Sequence, residues 1–201
     1  MHKQNSFTLD IFKFQVYQTI LKVDVDKIKK FCFSLKKKDK GRSLSNLTGW
    51  QSQDLDLFNL PDYMKKLKEL IESHANDYGK NMHINKPLTL ANMWININEH
   101  KDANDPHIHP YSVFSGSFYI DVAEDSGGLK FWNPAHETMG YAFNDNISKY
   151  EQTNCSTWTI VPMTSMLVLF PGYIKHSVGP NMNKKLKGYL FPLTWLLNRH
   201  S

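Results

Sequence analysis

"NDPHIHPYSVFSGSFYI", residues 104–120, sets two histidines one residue apart, just ahead of an apolar, strand-forming run. In an extended chain residues i and i+2 share a face, so His107 and His109 can reach one ion if this stretch is extended. Pro106 and Pro110 favour that geometry, because proline fixes its own φ and pushes the preceding residue toward extended conformations. Two readings stand at this point: a metal-binding pair, or two loop histidines with no assigned duty.

Working outward, the chain from residue 88 onward is a succession of short β-rich runs. "LTLANMWININ" and "VFSGSFYIDV" alternate; "GGLKFWNP", "TWTIVP", "SMLVLFP" and "KGYLFPLTWLL" follow, separated by Pro, Gly, Asn and Asp. Such punctuation predicts a β-sandwich or jelly roll. The first third is mixed. "IFKFQVYQTIL" reads as an edge strand. "DVDKIKKFCFSL" places Val25, Ile28, Phe31 and Leu35 at helical spacing behind a candidate N-cap, Asp24. "LPDYMKKLKELIESHANDYG" is the clearest helix, with Tyr63, Met64, Leu67, Leu70 and Ile71 on one stripe, Pro61 near its start and Gly79 just beyond its end. The expectation is one domain over 1–201: mostly β with α, residues 1–87 supplying an N-terminal strand and helical layer, residues 88–201 the β core.

Composition bounds the function classes. The 201 residues are 41% hydrophobic and 13% aromatic, enough for a real core. With 24 Lys+Arg against 19 Asp+Glu the net charge is +5, which permits an anionic partner without demanding one. Lys36 to Arg42 reads as a solvated loop. Two distant cysteines, Cys32 and Cys155, suit a reduced, cytoplasmic protein. "MHKQNSFTLD" has no apolar h-region, and no run approaches a membrane span, so no membrane partner is expected. No helix-turn-helix, zinc-finger or RNP pattern supports nucleic-acid binding.

A third ligand must come from another strand, and His176 in "LFPGYIKHSVGP" is the best placed. His2, His74, His83 and His200 read as surface residues, His100 and His136 as residues of polar loops. Asn96 and Asn98 alternate on the strand before the histidine pair, and Tyr119 lies in the strand after it. Lys187, eleven residues past His176, can pair with a carboxylate as a point charge.

These stretches in order resemble the Fe(II)/2-oxoglutarate-dependent oxygenases, and within them a bacterial and phage branch with an HxHP motif. "SNLTGWQS" (45–52) is similar to that branch's SNxGGWQS, and "MWININEHKDANDPHIHPYSVFSGSFYID" (93–121) to its W-x-N-x-N…H-x-H-P-x-S-x-x-S-G core. "GGLKFWNP" and "LVLFPGYIKHSVGPN" follow in the expected order. The resemblance covers the chain from about residue 12. It implies a double-stranded β-helix (jelly roll) core with His107 and His176 as first and last metal ligands. His109 stands where the wider superfamily has Asp or Glu, and Asp105 is an acidic alternative. Lys187 falls where an arginine usually binds the distal carboxylate of 2-oxoglutarate; Tyr119 would help it, and Asn98 or Asn96 would hold the other end. Tyr189 replaces a small hydroxyl residue and narrows the pocket floor.

The implied cofactors are Fe(II), 2-oxoglutarate and O2. The implied reaction is hydroxylation of a substrate C–H bond with release of succinate and CO2. A protein prolyl residue, a small metabolite and a nucleobase all fit as substrate. Two other readings use the same histidines: a non-catalytic metal-binding β-barrel, and a three-histidine cupin-type dioxygenase that does not need 2-oxoglutarate. A cation at position 187 serves only the first reading. Trp94, Trp132, Phe131 and Tyr111 are candidate pocket-lining aromatics, though aromatics in β-rich cores mostly serve packing.

Overall fold

Among the residues that the computed structural model describes (7–9, 11–143, 146–184 and 193–198), ten strands and three helices form. In chain order they are β1 (Tyr17–Ile20), α1 (Val25–Lys36), β2 (Trp50–Gln51), α2 (Asp62–Asn81), β3 (Thr89–Ile97), β4 (Asn104–His107) and β5 (Phe114–Phe118). There follow β6 (Leu129–Trp132), α3 (His136–Phe143), β7 (Thr157–Ile160), β8 (Met166–Pro171), β9 (His176–Val178) and β10 (Leu193–Asn198). The molecule is mostly sheet with some helix, and each β-rich run of the sequence supplies a strand.

The strands form three antiparallel ladders, ordered β1-β8-β5, β10-β3-β2 and β4-β9-β6-β7. β1 is an edge strand, as the alternation of residues 11–21 predicts. β10 also runs close beside β5, which brings the first two ladders together. In the third ladder His107 pairs with His176, and Asn104 with Val178. That leaves three residue steps on β4 against two on β9, a bulge of one residue.

Strand parity sorts the core. Met93, Ile95 and Ile97 on β3, Phe114 and Phe118 on β5, and Leu167 and Leu169 on β8 share one cluster with Ile28, Cys32, Met64, Leu67, Ile71 and Tyr78 of the helices. The opposite face of β8 turns Met166, Val168 and Phe170 into a second cluster with Tyr119, Leu129, Phe131 and Val178. Both faces of β5 are therefore buried, and its small residues Ser115, Gly116 and Ser117 fit that double packing.

α1 starts as its sequence implies: the Asp24 carboxylate accepts from the Lys27 amide at 3.1 Å. α2 departs from expectation at its end, since Gly79 lies inside the helix. A Cβ there would sit 3.2 Å from Leu88 Cδ1 and 3.7 Å from Phe114 Cε2, so the glycine serves close packing, not termination. His83 takes the stopping role with φ 57°. Ile84 donates to the Gly79 carbonyl at 2.9 Å and His83 to that of Lys80 at 3.0 Å, closing a Schellman motif with a non-glycine residue. His136 also departs from expectation: it opens α3, with the Asn133 side chain capping the Ala135 amide at 2.9 Å. His74 is half-buried, and its Nδ1 lies 2.7 Å from the Tyr17 hydroxyl, tying α2 to β1.

Candidate metal centre

Three histidines meet where β4, β9 and the turn after β8 converge. The register opposes His107 to His176, and the His109 amide donates to the Gly172 carbonyl at 2.9 Å, which draws the residue after the strand back to the same point. Gly172 is required there: a Cβ would stand 2.6 Å from the Ser112 carbonyl oxygen and 3.1 Å from that of His109. Ring centroids lie 4.4 Å apart for His107–His176 and 5.0 Å for each pair with His109. One ligand nitrogen from each falls within 4.8 Å of the others, and among the described residues no carboxylate, Asp105 included, joins this group.

Hydrogen bonds fix two tautomers. His107 Nδ1 lies 2.6 Å from the Asp105 carbonyl and His176 Nδ1 2.9 Å from the Ile174 carbonyl. A carbonyl only accepts, so both Nδ1 atoms carry the proton and both Nε2 atoms keep a lone pair. His109 Nε2 is buried without a partner. Burial pushes all three imidazoles down in pKa. His107 is lowered by desolvation, opposed by Asp105; His109 is lowered to about 4 by desolvation and His107. His176 is lowered well below the usual value by desolvation and its two neighbours, although its bond to Ile174 opposes this. Neutral imidazoles at pH 7 are what a metal requires, and three nitrogen donors suit a first-row divalent ion. Phe170 and Phe131 pack on His176, with centroids at 4.6 and 6.5 Å.

Trp94, Asn96 and Asn98 share the face of β3 opposite the Met93 row, and the Trp94 ring approaches His109 at 5.9 Å. Asn96 keeps its amide oxygen buried and unpartnered. Asn98 is partly committed: its Nδ2 donates to Asn104 Oδ1 at 3.0 Å, and its backbone carbonyl accepts from Asn181 Nδ2 at 3.1 Å. Ser115 and Ser117 lie on the Phe170 side of β5, and Tyr119 just beyond that strand belongs to the same cluster. The Tyr119 hydroxyl has no partner in good hydrogen-bond geometry; burial pushes its pKa up, opposed by the nearby Ser117. The carboxylate-binding candidate Lys187 and Tyr189 lie outside the described residues.

A cavity of about 530 Å³ opens beside the histidines, lined in part by Arg42, Gln51, Trp94, Asp105, His107 and His109. Arg42 and Gln51 escaped the sequence reading. Lys37, Lys38 and Lys40 are exposed, as a solvated loop requires, but Arg42 at its end is pinned along the site, its amide bonded to the Gln51 carbonyl at 2.8 Å, and Ser45 just beyond accepts from Asp105 N at 2.8 Å. Nothing in "KKKDKGR" signals this; the neighbouring "SNLTGWQS" was the one clue. Of the aromatics, Trp94 lines the cavity and Phe131 packs near His176, whereas Tyr111 is fully exposed. Trp132 is half-buried with the Lys130 and Lys175 ammonium groups 4.7 and 5.5 Å from its ring centroid.

A family model described as "Putative 2OG-Fe(II) oxygenase" matches residues 92–187. No curated protein matches the chain. Among solved structures, a Pseudomonas putida prolyl-4-hydroxylase superposes with TM-score 0.60 at 11% identity, covering 92% of this chain and 93% of that one. A Trichoplax adhaerens prolyl hydroxylase, in complex with a hypoxia inducible factor peptide fragment, gives TM-score 0.58 at 13% identity over 92% and 83%. The epimerase SnoN, in complex with Fe3+, alpha ketoglutarate and nogalamycin RO, gives 0.58 at 12% over 87% and 74%. At such identities the likeness is one of fold, the jelly roll of these oxygenases. Among the described residues no helix is long and apolar enough to cross a membrane. The matched segment, residues 92–187, carries all three histidines and is similar to the family of oxygenases that use Fe(II), 2-oxoglutarate and O2.

Proposed function

We propose that the chain hydroxylates a C–H bond of its substrate, with His107, His109 and His176 as the three metal ligands. The carrying observation is the triad itself: three ligand nitrogens within 4.8 Å, two of them freed for metal by Nδ1–H bonds to backbone carbonyls. The donor set fits Fe(II), and the buried, unpartnered Asn96 Oδ1, Ser115 Oγ and Tyr119 hydroxyl fit an oxygen-rich cosubstrate. When bound, Fe(II) with 2-oxoglutarate and O2 supplies the oxidising chemistry and releases succinate and CO2. The chain's own part is positional. The carbonyls of Asp105 and Ile174 hold two ligand rings in one tautomer, while Phe131 and Phe170 keep water from His176. Asn96, with Asn98 beside it, serves the end of 2-oxoglutarate near the metal, and Tyr119 with Lys187 serves the distal carboxylate.

The same reading takes residues 1–201 as a single domain, in which the strands of residues 88–201 form a double-stranded β-helix core and β1, α1, β2 and α2 of residues 1–87 support it. The free, buried thiols of Cys32 and Cys155 favour a cytoplasmic setting. The wholly imidazole donor set also favours a second reading, a three-histidine dioxygenase without 2-oxoglutarate. Anaerobic titration of the Fe(II)-loaded protein with 2-oxoglutarate separates the two. A visible charge-transfer band is expected, absent in His176→Ala and needing much more 2-oxoglutarate in Lys187→Ala. Iron binding without a band would overturn the 2-oxoglutarate assignment.

A further inference from the structure

The cavity wall beside the histidines carries two N–H donors that donate to no partner among the described residues. Arg42 Nε and Trp94 Nε1 are both buried and both unsatisfied. Both residues line the cavity, and the guanidinium carbon stands 5.6 Å from the Trp94 ring centroid. That ring in turn lies 5.9 Å from His109 in a tilted contact, so the donors belong to one run of side chains that ends on the triad. Buried donors rarely go unpaired in native proteins, and two on one wall call for an acceptor that arrives from outside.

Charge decides what kind of acceptor. Arg42 already pairs with Asp54 through Nη2, which neutralises it. Asp105 lines the same cavity with Asp54, so two carboxylates of the lining stand against its one guanidinium. A free carboxylate or phosphate would meet that net negative wall after giving up its own hydration. An amide carbonyl accepts the same hydrogen bonds without bringing a charge. Leu44 and Ile108, also in the lining, remain 68% and 47% exposed and offer apolar contact beside the donors. Donors for carbonyls next to open apolar surface are the needs of a peptide main chain and its side chains.

We propose that Arg42 and Trp94 form a substrate subsite for an uncharged amide carbonyl, and that the substrate is a peptide segment without acidic side chains at that point. This rests on the oxygenase reading above for its place beside the reacting centre. Both residues are positioning and specificity residues.

The test uses the full chain loaded with Fe(II) and 2-oxoglutarate without oxygen, and binding is the readout. The probes are a library of octapeptides capped as acetyl and carboxamide, N-acetylprolinamide, acetate and inorganic phosphate. Neutral and basic capped peptides are expected to bind, and Arg42→Ala to weaken them by about tenfold or more, the cost of losing hydrogen bonds to a charged donor. Trp94→Phe keeps an aromatic side chain, though a smaller one, and removes one donor, so a smaller loss is expected. Asp54→Asn acts on a half-exposed side chain and is expected to raise the binding of acidic peptides specifically. Peptide binding without N-acetylprolinamide binding assigns the carbonyl to a main chain. Failure of all capped amides, undiminished binding in both Arg42→Ala and Trp94→Phe, or stronger binding of acetate or phosphate would each overturn the proposal. The charge-transfer band is followed in the same samples. Its absence in wild type sinks the oxygenase reading and leaves the subsite standing, whereas a band without amide binding does the reverse.

Discussion

Replacing Gly172 by alanine tests whether the backbone knot around His109 builds the metal centre. The new Cβ would lie 2.6 Å from the Ser112 carbonyl oxygen, 2.8 Å from Ser112 Cβ and 3.1 Å from the His109 carbonyl oxygen. Two of those three neighbours are backbone atoms, so no side-chain rotation relieves the clash. Overpacking of this kind costs about 1–3 kcal/mol. A glycine-to-alanine change recovers about 0.4–1 kcal/mol by restricting the unfolded chain. The net expectation is a loss of about 1–2 kcal/mol, read as a lower urea midpoint at unchanged slope. Relief requires residues 109–112 to move away from 172, and the 2.9 Å bond from the His109 amide to the Gly172 carbonyl then lengthens. His109 leaves the triad, and metal affinity should fall by about 10–100-fold, as for lost supporting contacts in metal sites. Unchanged midpoint and unchanged metal affinity in Gly172→Ala would refute the argument.

Other expectations follow from single contacts. In metal-free protein, His109 is neutral down to about pH 4, and burial shifts His107 and His176 the same way. Each imidazole therefore binds more protons unfolded than folded between pH 6.5 and its folded value. Stability should be full above about pH 7 and fall as the pH drops toward 4, by up to about 3 kcal/mol for His109 alone; a flat urea midpoint over that range would contradict it. Phe170→Ala removes a fully buried ring that touches Phe131 at 4.9 Å and His176 at 4.6 Å. It should cost about 3–5 kcal/mol in denaturant melts and weaken metal binding as well. Asp24→Ala deletes the α1 cap and should lower the urea midpoint, with metal affinity unmoved.

How much of this was written in the sequence varies with the physics. The alternating runs became β3 and β5 because strand side chains repeat a face every second residue, and the continuously apolar "MLVLF" became β8, buried on both faces. The triad was legible for the same reason: two ligands sit two apart, and the third follows a strand end. α3 was not legible, because its eight residues hold Gly140 and show no stripe. β2 is two residues long and has no period to read. Gly79 looked like a stop because composition cannot distinguish a glycine that ends a helix from one that lets Leu88 and Phe114 come close. Arg42 looked solvated because its neighbours in sequence are lysines; its neighbours in space are Trp94 and Asp54.

The one-residue bulge in β4 also sets how fragile the centre is to strand register. Counting forward from Asn104 opposite Val178 without the bulge would put Pro106, which has no donor atom for a metal, opposite His176. The extra residue takes up that place and lets His107 face His176 instead. A slip that smoothed the bulge with the sequence unchanged would thus silence the centre while every histidine stayed in the chain. In this fold, histidine count alone does not report a working site; the register of β4 against β9 must be read with it.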